Sequence, residues 1–333
     1  RSTPKPSSAA SDVYKRQVRD REKAERLAEK HGARKSYNSV DGLLQDPDVD
    51  AVYICTPVYL HREHTLKAVE AGKHVLCEKP MALNVEECEK MIKASQEAGV
   101  KLMVGFMMRF HPAHQKAKEL IEKGVLGDIV LAHIQNLLWY PPVEGAWRQN
   151  PKLGGGGVLM DVGSHCIDLL CFLLGRVKEV AGIAKSVIFN YPVEDTSTFI
   201  LKFTRGTRGV VENSFAIPYR ENHLEIYGTR GTLLISRSIG PFKDFQMKLI
   251  TEEGEKLLPL SYEDPYRREF EEFVKAVEED RLPPIPGEAG RENIKIIESV
   301  YLSSKKEGRF ILLIRLFFIL LIAGAHEAYS HLI

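Results

Sequence analysis

The residues best suited to chemistry lie in the segment 154–168, which reads GGGGVLMDVGSHCID. Asp161, His165 and Asp168 are spaced i, i+4 and i+7, so a helix would place them on one face. A carboxylate one turn from an imidazole can orient the ring and support its charged form, which suits proton transfer. The same spacing also occurs where an acidic residue lies near a helix N-terminus and a histidine bonds within the core. The segment therefore predicts a candidate general base, with a purely structural pair as the alternative.

A second candidate is Lys79, which follows the apolar run HVLC and stands between Glu78 and Pro80. A lysine beside a carboxylate at the end of a strand is a candidate for an altered pKa and a functional role. The alternative is an ordinary ion pair between Lys79 and Glu78.

The first half of the chain alternates between helical and strand patterns. Its strands are continuous apolar runs, which are typical of a parallel sheet covered by helices on both faces. The predicted strands are 49–55, 74–77 and 101–106, and the predicted helices are 21–31, 60–71, 85–98 and 111–123. This repeat favours a Rossmann-like, doubly wound α/β domain over residues 18–124. Because ligands bind such sheets at the carboxyl ends of the strands, the residues directly after each strand are candidates for a binding site.

The second half of the chain has shorter strands joined by turns. Several alternate polar and apolar residues, which predicts an antiparallel sheet with one packed and one open face. The predicted strands are 128–140, 177–189, 196–203, 209–215, 223–227 and 232–235, and the predicted helices are 264–279 and 288–306. We expect residues 125–313 to form an α+β domain on a large open antiparallel sheet. This domain would hold the substrate and carry the contacts of a homo-oligomer, a dimer or tetramer.

The sequence contains no GxGxxG turn, the usual signature of a dinucleotide-binding loop. Residues 18–21 nevertheless resemble the end of a second Rossmann strand, where Asp20 would bind the adenosine ribose and favour NAD slightly over NADP. The alternative for Asp20 is a solvated residue at a helix N-terminus. We expect that the first strand, its glycine loop and its helix are missing from this sequence.

Both ends of the sequence differ in composition from the rest. Residues 1–17 are rich in Ser, Pro and Ala and are predicted to be a non-native or disordered leader. Residues 314–333 are predicted to be a non-native or disordered tail. The apolar run 311–325 is shorter than a membrane span and contains Arg315, so a membrane anchor is the less favoured interpretation.

Composition excludes several classes of partner. The chain has 333 residues, of which 44% are hydrophobic and 27% are charged, and its formal net charge is +1. This balance gives no reason to expect nucleic acid or a membrane surface as a partner. The five cysteines include no CxxC pair, which favours reduced core cysteines in a cytoplasmic protein.

The stretch from about residue 18 to 313 resembles the glucose–fructose oxidoreductase/inositol dehydrogenase (Gfo/Idh/MocA) family. The matching pieces are DAV at 50–52 before TP at 56–57 and His61, AGKHVLCEKP at 71–80, VGFxxRF at 104–110, and GGG at 154–156 before Asp161, His165 and Asp168. The resemblance implies a Rossmann domain, a second domain on an open antiparallel sheet, and hydride transfer between NAD or NADP and a hydroxyl-bearing carbon. The expected substrate is a sugar, a sugar derivative or a cyclic polyol.

The resemblance also implies roles for individual residues. Lys79 would contact the substrate hydroxyl and the nicotinamide ribose, His165 would be the general base, and Asp161 would orient His165 or bind a neighbouring hydroxyl. A cis peptide bond is implied between Lys79 and Pro80. The expected cofactor contacts are Asp20, Thr56, Pro57, His61, Glu78, Lys79 and Arg109. Trp147 and Arg148 are expected, with Asp161, to line the substrate pocket, although Trp147 could equally serve packing.

Two other functions stay open from the sequence. Some relatives of this kind cleave glycosidic bonds with NAD retained, and a chain without the phosphate loop could be a catalytically silent binding or regulatory protein. A metal site made by Asp161 and His165, with His61/His64 or His111/His114, is a further alternative. No spacing fixes a contact between these pairs, so we expect no metal.

Overall fold

Two β-sheets organise the molecule in the computed structural model, which describes residues 21–240 and 242–313. The predicted leader, the predicted tail, Asp20 and most of the apolar run 311–325 therefore lie outside the described residues.

The first sheet is parallel, as its continuous apolar strands predict. Its strands lie in the order β1 (Ala51–Ile54), β2 (His74–Glu78) and β3 (Leu102–Gly105). The helices of this part are α1 (Arg21–His31), α2 (Val40–Leu44), α3 (His61–Glu70), α4 (Val85–Glu97) and α5 (Pro112–Glu122). Gly72 and Gly99 follow α3 and α4 with φ of 71° and 67°, a left-handed conformation that favours glycine and ends each helix. These short connections bring the chain back so that β1, β2 and β3 end at one edge.

The second sheet has nine strands among the described residues, in the order β11-β10-β9-β8-β4-β7-β6-β5-β12. These are β4 (Ile129–Leu137), β5 (Val177–Lys185), β6 (Thr196–Phe203), β7 (Arg208–Ser214), β8 (His223–Gly228), β9 (Gly231–Ser236), β10 (Gln246–Thr251), β11 (Gly254–Leu257) and β12 (Ile311–Leu312). All pairs are antiparallel except β4 with β7, which is parallel, so the sheet is mixed rather than purely antiparallel. Along β6, buried residues such as Phe199 alternate with exposed ones such as Ile200, which confirms one packed and one open face.

The described residues form four further α-helices: α6 (Pro151–Gly154), α7 (Ser164–Leu174), α8 (Pro265–Glu278) and α9 (Gly287–Lys305). A π-helical turn over Leu159–Gly163 runs directly into α7. The helical stretch Pro151–Leu174 is long and apolar enough to cross a membrane, with a mean hydropathy of 1.7 over its most apolar part. However, 78% of that part is buried inside the fold. It therefore has the character of a core helix.

Helix α9 packs against both sheets. Near its start, Gly290 leaves room for Met81 and Val104 of the first sheet region. In its middle, the Asn293 amide donates to the Ser164 carbonyl at the start of α7, 2.8 Å away. Near its end, the Ser303 hydroxyl accepts a hydrogen bond from the Gly182 amide of β5 at 3.0 Å. The helix thus fixes α7 relative to the edge where the parallel strands end.

Candidate active site

Lys79 is the residue that joins the two halves of the site. It directly follows β2, and its ammonium group contacts Asp161 twice, at 2.8 Å from the backbone carbonyl and 2.9 Å from carboxylate Oδ1. Only 11% of the Lys79 side chain and 21% of the Asp161 side chain are exposed. The Lys79–Pro80 peptide bond is cis, as the family resemblance implies. The alternative, an ion pair between Lys79 and Glu78, is wrong, because the Lys79 ammonium group contacts Asp161 instead.

Asp161 is held between two cations. Its second carboxylate oxygen, Oδ2, lies 3.4 Å from Nε of Arg148, and the Arg148 guanidinium stacks over the Trp147 ring at 4.3 Å. Burial alone would raise the pKa of Asp161, but Lys79 and Arg148 hold it well below its usual range. Asp161 is therefore ionised at neutral pH. Pro80, Trp147, Arg148 and Asp161 line one small cavity, so the structure brings the predicted substrate residues together.

His165 stands at the second residue of α7, and its ring contacts Phe106 edge-on with centroids 6.4 Å apart. Its Nδ1 is buried and has no hydrogen-bond partner among the described residues. Burial, reinforced by the charge of Lys79, lowers the pKa of His165 well below its usual range. The ring is therefore neutral at neutral pH, and one of its two nitrogens carries no proton.

The Asp161 carboxylate was expected to orient His165, and the structure shows a different pairing. Both carboxylate oxygens of Asp161 face cations, and no hydrogen bond joins Asp161 to His165 in the part of the chain that the structure describes. The cause is the π-helical turn before α7, which the spacing i, i+4 could not reveal because it assumes a regular α-helix. The second expectation for Asp161, an acceptor for a neighbouring hydroxyl, stays a prediction.

The glycine run before Asp161 is fixed by Glu194, which the sequence analysis missed. The buried Glu194 carboxylate accepts hydrogen bonds from the amides of Gly157 and Leu159 at 3.0 Å and from the Tyr301 hydroxyl at 2.8 Å. A side chain at Gly157 would lie 2.0 Å from the Glu194 carbonyl oxygen, and one at Gly156 would lie 1.9 Å from the Tyr301 hydroxyl. The run therefore consists of glycine because other chain segments approach its backbone too closely for a Cβ atom.

Glu78 bonds to its surroundings rather than to the lysine side chain. One carboxylate oxygen accepts a hydrogen bond from the Tyr53 hydroxyl, and the other accepts one from the Lys79 amide at 3.1 Å. Burial raises the pKa of Glu78, and these contacts oppose the rise. Glu78 thus holds the strand end that carries Lys79.

A second buried acid, Glu269 of α8, lies beneath this group. It is fully buried, and neither of its carboxylate oxygens has a partner among the described residues. Burial, reinforced by the nearby charges of Glu78 and Asp168, raises the pKa of Glu269 well above its usual range. The sequence did hold a signal, because Glu269 occupies a position on the apolar stripe that continues with Phe273 and Ala276.

The residues after β1 that are predicted to contact the cofactor are buried, and His61 also lies in hydrogen-bonding distance of backbone carbonyls. Thr56 and Pro57 are buried at the end of β1. The His61 ring faces the Thr56 carbonyl at 2.7 Å and the Pro80 carbonyl at 3.0 Å, and burial lowers its pKa to about 4. The ring thus lies between the end of β1 and the loop after β2, and in its neutral form it donates its one N–H to one of the two carbonyls.

Arg109 makes its hydrogen bonds to an acidic residue of α7. Its guanidinium makes two parallel hydrogen bonds to Asp168, from Nε at 2.9 Å and from Nη2 at 2.6 Å. Burial raises the pKa of Asp168, and the guanidinium opposes this rise. Arg109 and Asp168 thus form a clamp between the end of β3 and α7, and the predicted contact of Arg109 with the nicotinamide end stays a prediction.

The metal set considered from the sequence is not assembled. His61 is engaged as described, and the His114 ring bonds to the Met108 carbonyl at 2.7 Å and the Ser238 hydroxyl at 3.0 Å. His111 caps α5 through the Ala113 amide at 3.2 Å. These imidazoles bond locally instead of meeting Asp161 and His165.

The chain is similar to known oxidoreductases in sequence and in fold. Residues 12–106 match the model of an oxidoreductase family with an NAD-binding Rossmann fold, and residues 114–234 match the Gfo/Idh/MocA C-terminal domain. The chain is 35% identical over 277 residues to 1,5-anhydro-D-fructose reductase of Ensifer adhaerens, covering 81% of each chain. It is 29% identical over 295 residues to myo-inositol 2-dehydrogenase of Thermotoga maritima, covering 85% of this chain and 84% of that one. Aldose-aldose oxidoreductase from Caulobacter crescentus, crystallised with glycerol, matches with a TM-score of 0.82 at 28% identity, covering 88% of this chain and 89% of that one.

Proposed function

Because the chain belongs to the Gfo/Idh/MocA oxidoreductase family, we propose that it interconverts a hydroxyl and a carbonyl group on a sugar, sugar derivative or cyclic polyol. The proposed hydride carrier is NAD or NADP. The observation that carries the proposal is the contact of the Lys79 ammonium with Asp161 at 2.9 Å, with the neutral His165 beside it. The contact unites a cation, a carboxylate and a proton acceptor where the parallel strands end.

The described residues fit the reacting end of a nicotinamide cofactor. His165 carries a buried ring nitrogen without a partner in the described part of the chain, which is an unsatisfied polar atom beside the Lys79–Asp161 contact. Thr56, Pro57 and Glu78 lie at the carboxyl ends of neighbouring parallel strands, the edge where ligands bind in such sheets. Asp20 stays a proposed contact to the ribose and the basis of a slight preference for NAD. A bound nicotinamide ring accepts a hydride when oxidised and supplies one when reduced.

The protein groups then have separate tasks. In the oxidative direction, the neutral His165 accepts the proton of the reacting hydroxyl. The Lys79 ammonium donates a hydrogen bond to the same oxygen and stabilises its developing negative charge. Asp161 holds Lys79 in place and accepts a hydrogen bond from a neighbouring substrate hydroxyl. Arg148 and Trp147 line the cavity beside them, where they would contact the rest of the substrate.

We also propose roles for the two domains, an oligomer contact and a cellular location. Residues 18–124 would bind the cofactor and 125–313 the substrate. The open face of the second sheet exposes Ile183 and Ile200, by 48% and 36%, and would join copies in a dimer or tetramer. All five cysteines are unpaired and three are buried, which supports a reducing, cytoplasmic location.

The direct test is a spectrophotometric assay of reduced nicotinamide. The protein would be assayed with NAD and NADP against a panel of aldoses and inositols, and with the reduced cofactors against 1,5-anhydro-D-fructose. Lys79→Met and His165→Gln should each lower kcat by about 100-fold or more, since each removes a group that handles the reacting oxygen. Lys116→Met, at a partly exposed position of α5 where the lysine pairs with Glu119, is the matched control and should leave kcat unchanged.

Three results would count against the proposal. Activity that survives Lys79→Met would remove Lys79 from the chemistry. Release of sugar from a glycoside without net change in reduced cofactor would favour the glycosidase alternative. A folded protein that binds neither cofactor would favour the silent alternative.

A further inference from the structure

The open face of the second sheet carries a cluster of histidine and glutamate side chains well away from the Lys79–Asp161 contact. His133 projects from β4, His223 and Glu225 from β8, and Glu212 from β7, which flanks β4 on its other side. Residues His133 and Glu225 face each other in the register of β4 and β8, so their side chains share one face. All four side chains are half-buried.

Three donor atoms of this cluster converge. His133 Nδ1 lies 3.4 Å from His223 Nε2 and 3.6 Å from Glu225 Oε2. All three atoms lie within 4.8 Å of one another. Two ligands of a tetrahedral zinc ion, each about 2.0–2.1 Å from the metal, are separated by about 3.4 Å. The two measured separations therefore match the edges of a tetrahedral site.

Hydrogen bonds from neighbouring side chains orient these donor atoms for binding a cation. His133 Nε2 lies 3.2 Å from Glu212 Oε2, so Nε2 donates its hydrogen to the carboxylate and the lone pair of Nδ1 points to His223 and Glu225. Gln135 donates to the same Glu212 oxygen at 3.1 Å and holds that carboxylate in place. The Tyr227 hydroxyl donates to Glu225 Oε2 at 2.6 Å and fixes the third donor. A carboxylate–histidine–metal arrangement of this type orients a metal-ligating ring.

We propose that His133 Nδ1, His223 Nε2 and Glu225 Oε2 form a binding site for a divalent transition metal of the zinc class. A water molecule completes the tetrahedron, and the ion ties β4 to β8 on the open face. Two imidazoles and one carboxylate suit zinc, cobalt or nickel and disfavour magnesium and calcium, which prefer oxygen ligands. The site is independent of the proposed oxidoreductase activity, because none of its residues contacts the Lys79–Asp161 pair.

The test is titration calorimetry with ZnCl2 alone, on the full chain after chelator treatment. We expect the wild type to bind one equivalent of zinc that is lost in His223→Ala and in His133→Ala. Glu212→Gln keeps all three donors but removes the carboxylate behind His133, and it should weaken binding about 10- to 100-fold. His31→Ala, which alters a histidine on α1 outside the cluster, is the matched control and should bind like the wild type.

Cobalt substitution provides a second measurement that does not depend on stoichiometry. The wild type loaded with Co2+ should show the visible absorption of tetrahedral cobalt, and His223→Ala should not. Circular dichroism of the metal-free variants establishes that they are folded. Zinc binding that is the same in His223→Ala, His133→Ala and the wild type would overturn the proposal, as would a wild type that binds no equivalent of zinc.

Discussion

The clamp between Arg109 and Asp168 can be broken from either side. Arg109 follows β3 and Asp168 lies in α7, and their side chains are 16% and 2% exposed. Removing one member of such a pair leaves an uncompensated buried charge, which costs about 3–5 kcal/mol. Replacing both members with apolar residues of similar volume is often close to neutral. The structure therefore predicts a large coupling between the two positions.

The test is a double-mutant cycle with Arg109→Met, Asp168→Leu and the double variant. We expect each single change to lower the free energy of unfolding by about 3–5 kcal/mol, and the double variant to lose much less than the sum. Urea unfolding followed by circular dichroism measures these differences. Because burial raises the pKa of Asp168, the carboxyl left alone in Arg109→Met takes up a proton readily, so its defect should shrink as the pH falls.

The same cycle separates the clamp from the cofactor role expected from the sequence. If the guanidinium bound the cofactor, Arg109→Met would raise the Kd for nicotinamide cofactor without a matching loss of stability, and Asp168→Leu would not share its effect. The clamp would be refuted if both single variants had free energies of unfolding within about 1 kcal/mol of the wild type, because breaking a buried ion pair costs more than that.

Three further changes probe the site and its supports. Asp161→Asn removes the charged partner of Lys79 and should lower kcat about 100-fold through misplacement of the ammonium, measured in the cofactor assay. Gly157→Ala puts a Cβ atom 2.0 Å from the Glu194 carbonyl and should lower the free energy of unfolding by about 1–3 kcal/mol or more, measured with urea. Burial lowers the pKa of His114 to about 3, so the wild type loses stability as the pH falls below the usual histidine value of about 6.5. The stability gap between the wild type and His114→Asn should therefore narrow by about 1.4 kcal/mol per pH unit below that value.

Each of these changes has a control or a contradicting outcome. Asp128→Asn alters an exposed aspartate and should keep full activity, so an equal loss in both aspartate variants would remove the special role of Asp161. Gly42→Ala places its Cβ atom 3.0 Å from the hydroxyl of the exposed Ser39 and near no other atom within 4 Å, so it should be tolerated far better. A Gly157→Ala protein as stable as the wild type would contradict the close approach. A gap for His114→Asn that stays constant with pH would mean that the buried ring accepts a proton in the folded protein.

The elements with a regular hydrophobic period were predictable from the sequence. The predicted helix 21–31 matches α1 and the predicted strand 196–203 matches β6, because each has a clear pattern along its whole length. The hairpin of β10 and β11 was missed, since β11 (Gly254–Leu257) is exposed at every position and has no buried side to produce a pattern. The parallel pairing of β4 with β7 was also missed, because pairing partners depend on the whole topology.

The sequence named residues that the structure brings together, but it did not predict the hydrogen bonds between them. Motif resemblance named Lys79, Asp161 and His165, and the Lys79–Asp161 contact at 2.9 Å joins positions that are 82 residues apart. The π-helical turn before α7 redirects Asp161 to Lys79, and such a turn has no signature in residue type or spacing. The sequence also gave no sign that Glu194 caps the glycine run, because that contact depends on a loop from the second sheet.

Helix α9 has a consequence for how the molecule unfolds. Ile285 just before it accepts a hydrogen bond from the Val104 amide at 2.9 Å, and Gly287 packs against Ile92 of α4. Its far end bonds to β5 of the other sheet through Ser303. Helix α9 therefore contributes to the packed core of both sheets. If one sheet unfolded and α9 were released, the other sheet would lose part of its core as well. Although the described residues form two sheets, we expect the protein to unfold as one cooperative unit, with the site and both sheets lost together.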